Sequence, residues 1–260
     1  MTSPRQLKIT YIGGPTAVFE WGGLRLLTDP GFDPPGASYQ TGPVVLTKTA
    51  GAALSPESLG RIDVVLLSHD HHYDNLDHSG RKFLGGVKQV FTTPAGAERL
   101  GGHATGLANW QSIDVPAADR VLRITGTPAR HGPAHGDRGP VTGFVLAFTD
   151  ALDQTVYISG DTVWYEGVAE VARRFDVRAA VLFMGAATVP VVGPEALTMT
   201  AEDGIQAARA FSHATIIPLH YEGWAHFTES REVIARAFNA AGIGPRVRWM
   251  ELGKTIALPI

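Results

Sequence analysis

Residues 62–80 read IDVVLLSHDHHYDNLDHSG, an aliphatic run followed by four histidines and three aspartates within the ten positions from His69 to His78. No other stretch restricts the fold as much. The run at 62–67 is β-branched and aliphatic without polar alternation, the pattern of a strand buried on both faces. Such a strand belongs inside a layered α/β sheet. There the carboxyl ends of strands face converging loops on a rigid scaffold, so the ionisable cluster leaves the sheet where ligands gather. The chain has no cysteine. Disulfides are excluded, and a metal held here takes its ligands from His, Asp, Glu or Asn.

Turn residues divide the rest of the chain. Runs 7–12, 16–21 and 24–29 read as short strands of an antiparallel meander, punctuated by Gly13-Gly14-Pro15 and Gly22-Gly23. The stretch 30–43, PGFDPPGASYQTGP, is too long for a tight connection and has no periodicity. It is expected to close over a pocket or to form a subunit contact in a homo-oligomer. Further strands are predicted at 87–93, 120–126, 141–149, 154–160, 178–184, 214–220 and, closing the chain, 246–252. Helices are predicted over 75–86, 94–102, 164–175, 200–211 and 228–242, with Thr200 and Asp203 spaced as a capping box. This order fits two sheets covered by helices better than a barrel. No linker interrupts it, so a single domain over 1–260 is expected.

Three of the ten histidines sit just past a strand: His69, His131 after RITGTPAR, and His220 after ATIIPL. Asp161 follows TVYISG in the same way. Four strand ends offering His, His, Asp and His form the arrangement a metal site requires. His69 and His71, two apart as the chain leaves its strand, can face one hollow. With His131 they make a three-nitrogen site with an open fourth position, as a catalytic zinc has. Asp74, Asp161 and His220 offer a second, oxygen-richer site with Asp161 between the ions. One or two divalent ions are expected, zinc or manganese before iron.

These segments together resemble the metallo-β-lactamase superfamily, in particular its branch of ascorbate-6-phosphate lactonases and phospholipase-D-like hydrolases. ITYIGGPTAVFEWGGLRLLTDP resembles the opening strands, DVVLLSHDHHYDNLD the His-x-His-x-Asp-His signature, TPARHG the third-histidine segment, YISGDT the bridging-aspartate segment and MTAEDGIQAARAF…IIPLHY the last histidine segment. The resemblance implies a four-layer αββα sandwich and metal-dependent hydrolysis. One departure stands out: Tyr73 occupies the signature's Asp position, Asp74 comes one later, and Asn75 stands where the adjacent histidine belongs. Anchoring on the strand makes His69 and His71 the first pair and His72 an inserted residue that takes the missing ligand's place. Anchoring on HYDNLD makes the pair Asp70 and His72. The strand anchor is preferred, because a buried strand cannot slip by one residue without reversing its faces.

The expected metal ligands are therefore His69, His71, His72, Asp74, His131, Asp161 and His220. Asp74 also has a catalytic role, orienting the attacking hydroxide or binding the second ion, and His135 and Tyr221 are expected at the substrate, with His226 nearby. Asp29 and Asp77 are read as structural, and His78, His103 and His213 as non-functional. The expected activity is hydrolysis of a small lactone or phosphate ester by a water that the metal deprotonates. The alternative is a metal-binding protein without turnover, which Tyr73 and Asn75 motivate. A formal net charge of −3 without any Lys/Arg run argues against a nucleic-acid partner. The opening MTSPRQLKIT has no apolar leader core and no stretch approaches a membrane span, so a cytoplasmic location is expected.

Overall fold

The computed structural model describes residues 6–260; the first five, where the reading of a leader-free start begins, lie outside the described residues. The chain opens with β1 (Gln6–Gly13), β2 (Thr16–Trp21) and β3 (Leu24–Thr28), then a hairpin of β4 (Ser38–Thr41) and β5 (Val44–Thr47). Next come β6 (Val64–Leu66), α1 (His78–Leu84), β7 (Gln89–Thr92), α2 (Pro94–Leu100) and β8 (Ala104–Gly106). The second half runs β9 (Ser112–Pro116), β10 (Val121–Pro128), β11 (Thr142–Phe148), β12 (Ala151–Ile158), α3 (Glu166–Arg174), β13 (Val177–Phe183), α4 (Ala201–Ala210), β14 (Thr215–Leu219), α5 (Arg231–Ala240) and β15 (Thr255–Pro259).

Two sheets result, ordered β15-β1-β2-β3-β6-β7-β8 and β14-β13-β12-β11-β10-β9. Strand alternation builds three apolar layers from them. Ile9, Phe19, Leu26, Val64 and Leu66 of the first sheet meet Ile124, Phe144, Ile158, Val181 and Ile217 of the second. The opposite face of the first sheet, including Val18, Leu27 and Val65, packs with Leu76 and with Leu84 of α1. Tyr157, Ala180 and Ile216 on the second sheet's outer face pack on Val168, Ile205 and Ile234 of α3, α4 and α5. The expected four-layer αββα sandwich is the observed one.

β3, β6, β7 and β8 pair in parallel, as do β12, β13 and β14, with β10 pointing the same way through two antiparallel pairings. The carboxyl ends of β6, β10, β12 and β14 therefore open on one edge of the sandwich. The expected strand at 246–252 does not form. Gly244–Arg246 coil into a tight turn, Val247 makes one bridge to Ile216, and the next residues cross between layers, with Trp249 at the helix-side cluster and Met250 between the sheets. The closing strand is β15, paired antiparallel with β1. The unperiodic stretch at 30–43 holds β4, half of a hairpin whose two strands pair only with each other. No helix of the described residues is long and apolar enough to cross a membrane.

Candidate metal centre

The strand ends deliver their side chains with the rings already oriented. At the end of β3, Asp29 Oδ1 accepts hydrogen bonds from the Ser68 backbone (2.9 Å) and hydroxyl (2.6 Å). The same hydroxyl accepts from His69 Nδ1 at 2.9 Å, which turns Nε2 into the cavity. His131, beyond β10, donates Nδ1–H to the Leu197 carbonyl at 2.8 Å and likewise points Nε2 inward. Gly160 precedes Asp161 with φ +61°, and a Cβ there would stand 2.6 Å from the Thr142 carbonyl. Only glycine lets β12 end so close to the first histidine segment. His220 follows directly on β14 at φ 56°, a left-handed conformation that costs an imidazole residue energy and that its buried setting maintains.

Three ring nitrogens converge. His72 Nδ1 lies 3.0 Å from His69 Nε2 and 3.1 Å from His131 Nε2. A single proton on Nδ1 cannot satisfy both neighbours. A divalent ion can, since tetrahedral bonds of about 2.0–2.1 Å give ligand separations of about 3.4 Å. Beside them Asp161 Oδ2 is 3.5 Å from His131 Nε2, and Asp161 Oδ1 is 3.4 Å from His220 Nε2. Asp74 Oδ2 lies 3.6 Å from His220 Nε2 and 3.1 Å from His226 Nε2. His69, Asp161 and His220 are wholly buried, yet Asp161 Oδ2, Asn75 Oδ1 and both His220 ring nitrogens have no hydrogen-bond partner. Buried polar atoms left this way need a missing partner, and a cation fits the donor set. The groups His69/His131/Asp161 and Asp74/Asp161/His220 each bring their ligand atoms within 4.8 Å.

The two ends of this cavity differ electrostatically. Burial, then the neighbouring imidazoles, holds His69 well below the usual range, and the same causes push His72 down to about 3. Both are neutral donors. At the other end burial opposes protonation of His220, but Asp161 and Asp74 outweigh it and push the ring up to about 10. Burial would raise Asp74; the His220 and His226 rings beside it instead hold it well down. Behind the site, burial raises Asp29 to about 8 against the hydrogen bonds from Ser68.

Not every expected residue faces this cavity. His71 turns aside: its Nε2 donates to the Arg138 carbonyl at 2.8 Å, and its ring stands where a Cβ on Gly139 would be 3.0 Å away. A ligand group of His69, His71 and His72 remains within 4.8 Å, but the nitrogen convergence is on His72. Asp70, first of the alternative pair, is gripped by Arg99 at 2.5–3.2 Å instead. The extra residue is thus accommodated between His69 and His72. His135 is exposed and faces Glu195 at 3.6 Å, and Tyr221 is buried against Trp249. Neither borders the cleft above the cavity. Asp77 caps α1 through Gly80 and takes Lys48 Nζ at 2.8 Å, a buried ion pair that also receives the Asp33 amide. His226, expected near the substrate, does border the cleft, whereas Lys48 is the residue whose place beneath the site has no local sequence signal.

The cleft has a volume of about 480 Å³. Its floor carries His72, Asp74, His131 and His226; its walls are the β4–β5 hairpin with Tyr73 on one side and residues 187–197 on the other. Tyr39 stacks on Tyr73 at 4.6 Å and donates its hydroxyl to Asp33, which ties the hairpin to the ligand-bearing segment.

Comparison with known proteins adds four likenesses. The profile described as "Beta-lactamase superfamily domain" matches residues 24–221. A UPF0173 protein of Bacillus subtilis (strain 168), YddR, is 26% identical over 96% of this chain and 99% of its own length. A protein of Pelotomaculum thermopropionicum described as a UPF0173 metal-dependent hydrolase is 27% identical over 84% of this chain and 86% of its own. Among solved structures, an isothiocyanate hydrolase from Delia radicum gut bacteria superposes with a TM-score of 0.82 at 24% identity, covering 97% of this chain and all of the other.

Proposed function

The chain belongs to the β-lactamase superfamily, and from that membership and its buried ligand set we propose that it is a metal-dependent hydrolase of small molecules. The observation that carries this reading is the convergence of His69, His72 and His131 nitrogens at 3.0–3.1 Å on the floor of a cleft. His69, His72, His131 and Asp161 would hold one ion, favouring zinc. Asp74, Asp161 and His220, with His226 adjoining, would hold a second for which manganese also qualifies. Bound ions supply Lewis acidity and a water acidified toward neutral pH.

The chain's own groups do the rest. Asp161 holds the two halves of the site at a fixed separation. Asp74 receives the proton of the attacking water at Oδ2. His226 Nε2 lies 3.1 Å from that oxygen and borders the cleft, so it can pass the proton to the leaving group. The substrate classes this reading entertains are a small lactone and a phosphate ester, and the relative that hydrolyses isothiocyanates adds a further carbon electrophile to the panel.

The test is metal content by elemental analysis together with hydrolysis of lactones, aryl esters, phosphate esters and an isothiocyanate before and after chelation. Two ions per chain and chelator-sensitive turnover support the proposal; turnover indifferent to chelator overturns it. Asn75 at a position where the signature has histidine favours a second reading, a metal-binding protein without turnover. Bound metal with no hydrolysis across the panel would favour that one.

A further inference from the structure

The cleft walls identify what lies beside the scissile bond. Val44 and Leu46 of the hairpin face Val189, Val192 and Leu197 across the opening. Among the described residues that line it, Arg138 is the one side chain with permanent positive charge, and its Nε and Nη2 both turn back to the Gly136 carbonyl at 2.9–3.0 Å. Asp137 beside it lines the same opening and offsets that charge. Lys48, at the stem of the hairpin, is buried in its pair with Asp77 and does not reach the cleft.

Phosphoryl transfer spreads negative charge over the equatorial oxygens, and enzymes meet it with arginine or lysine in addition to metal. A charged phosphate elsewhere on a substrate needs its own cradle of donors. This opening offers a single arginine, turned to a backbone carbonyl and accompanied by Asp137, and no other Lys or Arg among the described residues that line it. It provides aliphatic surface, which stabilises hydrocarbon through the hydrophobic effect.

Resting on the hydrolase reading above, we propose that the substrate is a neutral ester or lactone whose acyl side group is apolar, and that Val44, Leu46, Val189 and Val192 select it. Water oxygen bonds to the acyl carbon and the acyl carbon–oxygen bond breaks. The departing oxygen takes up the water's proton, so one water is consumed and an acid and an alcohol are produced, joined in one molecule when the substrate is a lactone.

Two measurements on the zinc- or manganese-loaded protein test this. The first is kcat/KM for p-nitrophenyl acetate through hexanoate, beside p-nitrophenyl phosphate and bis(p-nitrophenyl) phosphate. The second is calorimetric binding of acetate, butyrate, hexanoate and inorganic phosphate. The proposal expects kcat/KM and affinity to rise two- to fourfold per methylene, up to the rate equivalent of about 0.8 kcal/mol each, and both phosphate esters to be poorer than hexanoate. Val44→Lys, at a half-buried lip position, should flatten the chain-length series and strengthen phosphate binding; Val192→Arg repeats the test on the facing wall. Flat series in both measurements, or a phosphate ester as the best substrate, overturns the proposal. Chain-length-dependent binding without turnover of any compound leaves the apolar selection standing and overturns the hydrolase reading. Turnover without chain-length dependence does the reverse.

Discussion

The imidazole end and the carboxylate end of the cavity share Asp161 but handle protons in opposite ways. At the imidazole end, His69 and His72 are surrounded by burial and by each other, and they stay neutral. At the carboxylate end, Asp74 and Asp161 keep a proton on His220. One end is pre-set to accept an ion, and the other must release a proton first. Similar ligands a few ångströms apart therefore have different loading chemistry, set by which neighbours are charged.

The largest effect expected is from deleting one ligand at each end. His131→Ala should remove the first ion and lower hydrolysis by more than the roughly 10–100-fold typical of an outer-shell partner. His220→Ala should lose the second ion while keeping the first. Elemental analysis and turnover of both variants decide it, and loss of both ions from either would mean the ends are not separable.

Metal titrations at several pH values probe the next difference. Because His220 is raised to about 10, binding at the carboxylate end should tighten by up to about tenfold per pH unit between pH 6 and 9. The imidazole end should change little above pH 7. Two isotherms of equal pH slope would remove the distinction.

The metal-free protein offers a smaller effect of the same origin. His72 is depressed in the fold, so its contribution is lost as pH falls below the unfolded value near 6.5. Asp29 and His220 are raised, so their contributions are present at low pH and lost as pH rises, Asp29 through about 8 and His220 through about 10. Each group changes stability by up to about 1.4 kcal/mol per pH unit in its window. Asp29→Asn should remove a fall in melting temperature between about pH 4 and about pH 8, and His72→Gln the loss below about pH 6.5. Last, His71→Gln should keep both ions and reduce turnover only a few-fold, through a looser Arg138 wall. Loss of an ion would return His71 to the ligand set.

Much of the sandwich was legible because buried strands announce themselves by apolar runs: 62–67, 154–160 and 214–220 each led to a residue that now lines the cavity. The register of the histidine cluster was not. Strand alternation fixes side-chain direction only while the chain stays in the sheet, and β6 ends at Leu66. Past that point the backbone turns freely, so one more residue between His69 and His72 reverses no face. Of the cleft walls, the stretch 30–43 is expected to close over a pocket or form a subunit contact and does contribute Thr41 and Pro43, whereas residues 187–197 carry no signal. The hairpin and residues 187–197 meet only in the folded chain, and nothing periodic in either announces the other. The closing strand expected at 246–252 does not form; its apolar residues Val247, Trp249 and Met250 are spent on two different layers.

The Lys48–Asp77 pair has a consequence for how such a cleft can change. It rivets the hairpin stem to the cap of α1, and withdrawing the cation would strand a buried carboxylate at a cost of about 3–5 kcal/mol. The tip at Thr41–Val44 carries no such fastening. Variation is thereby channelled outward: the stem resists exchange, while the tip is a graftable segment through which the same hydrolytic floor could be refitted for new compounds.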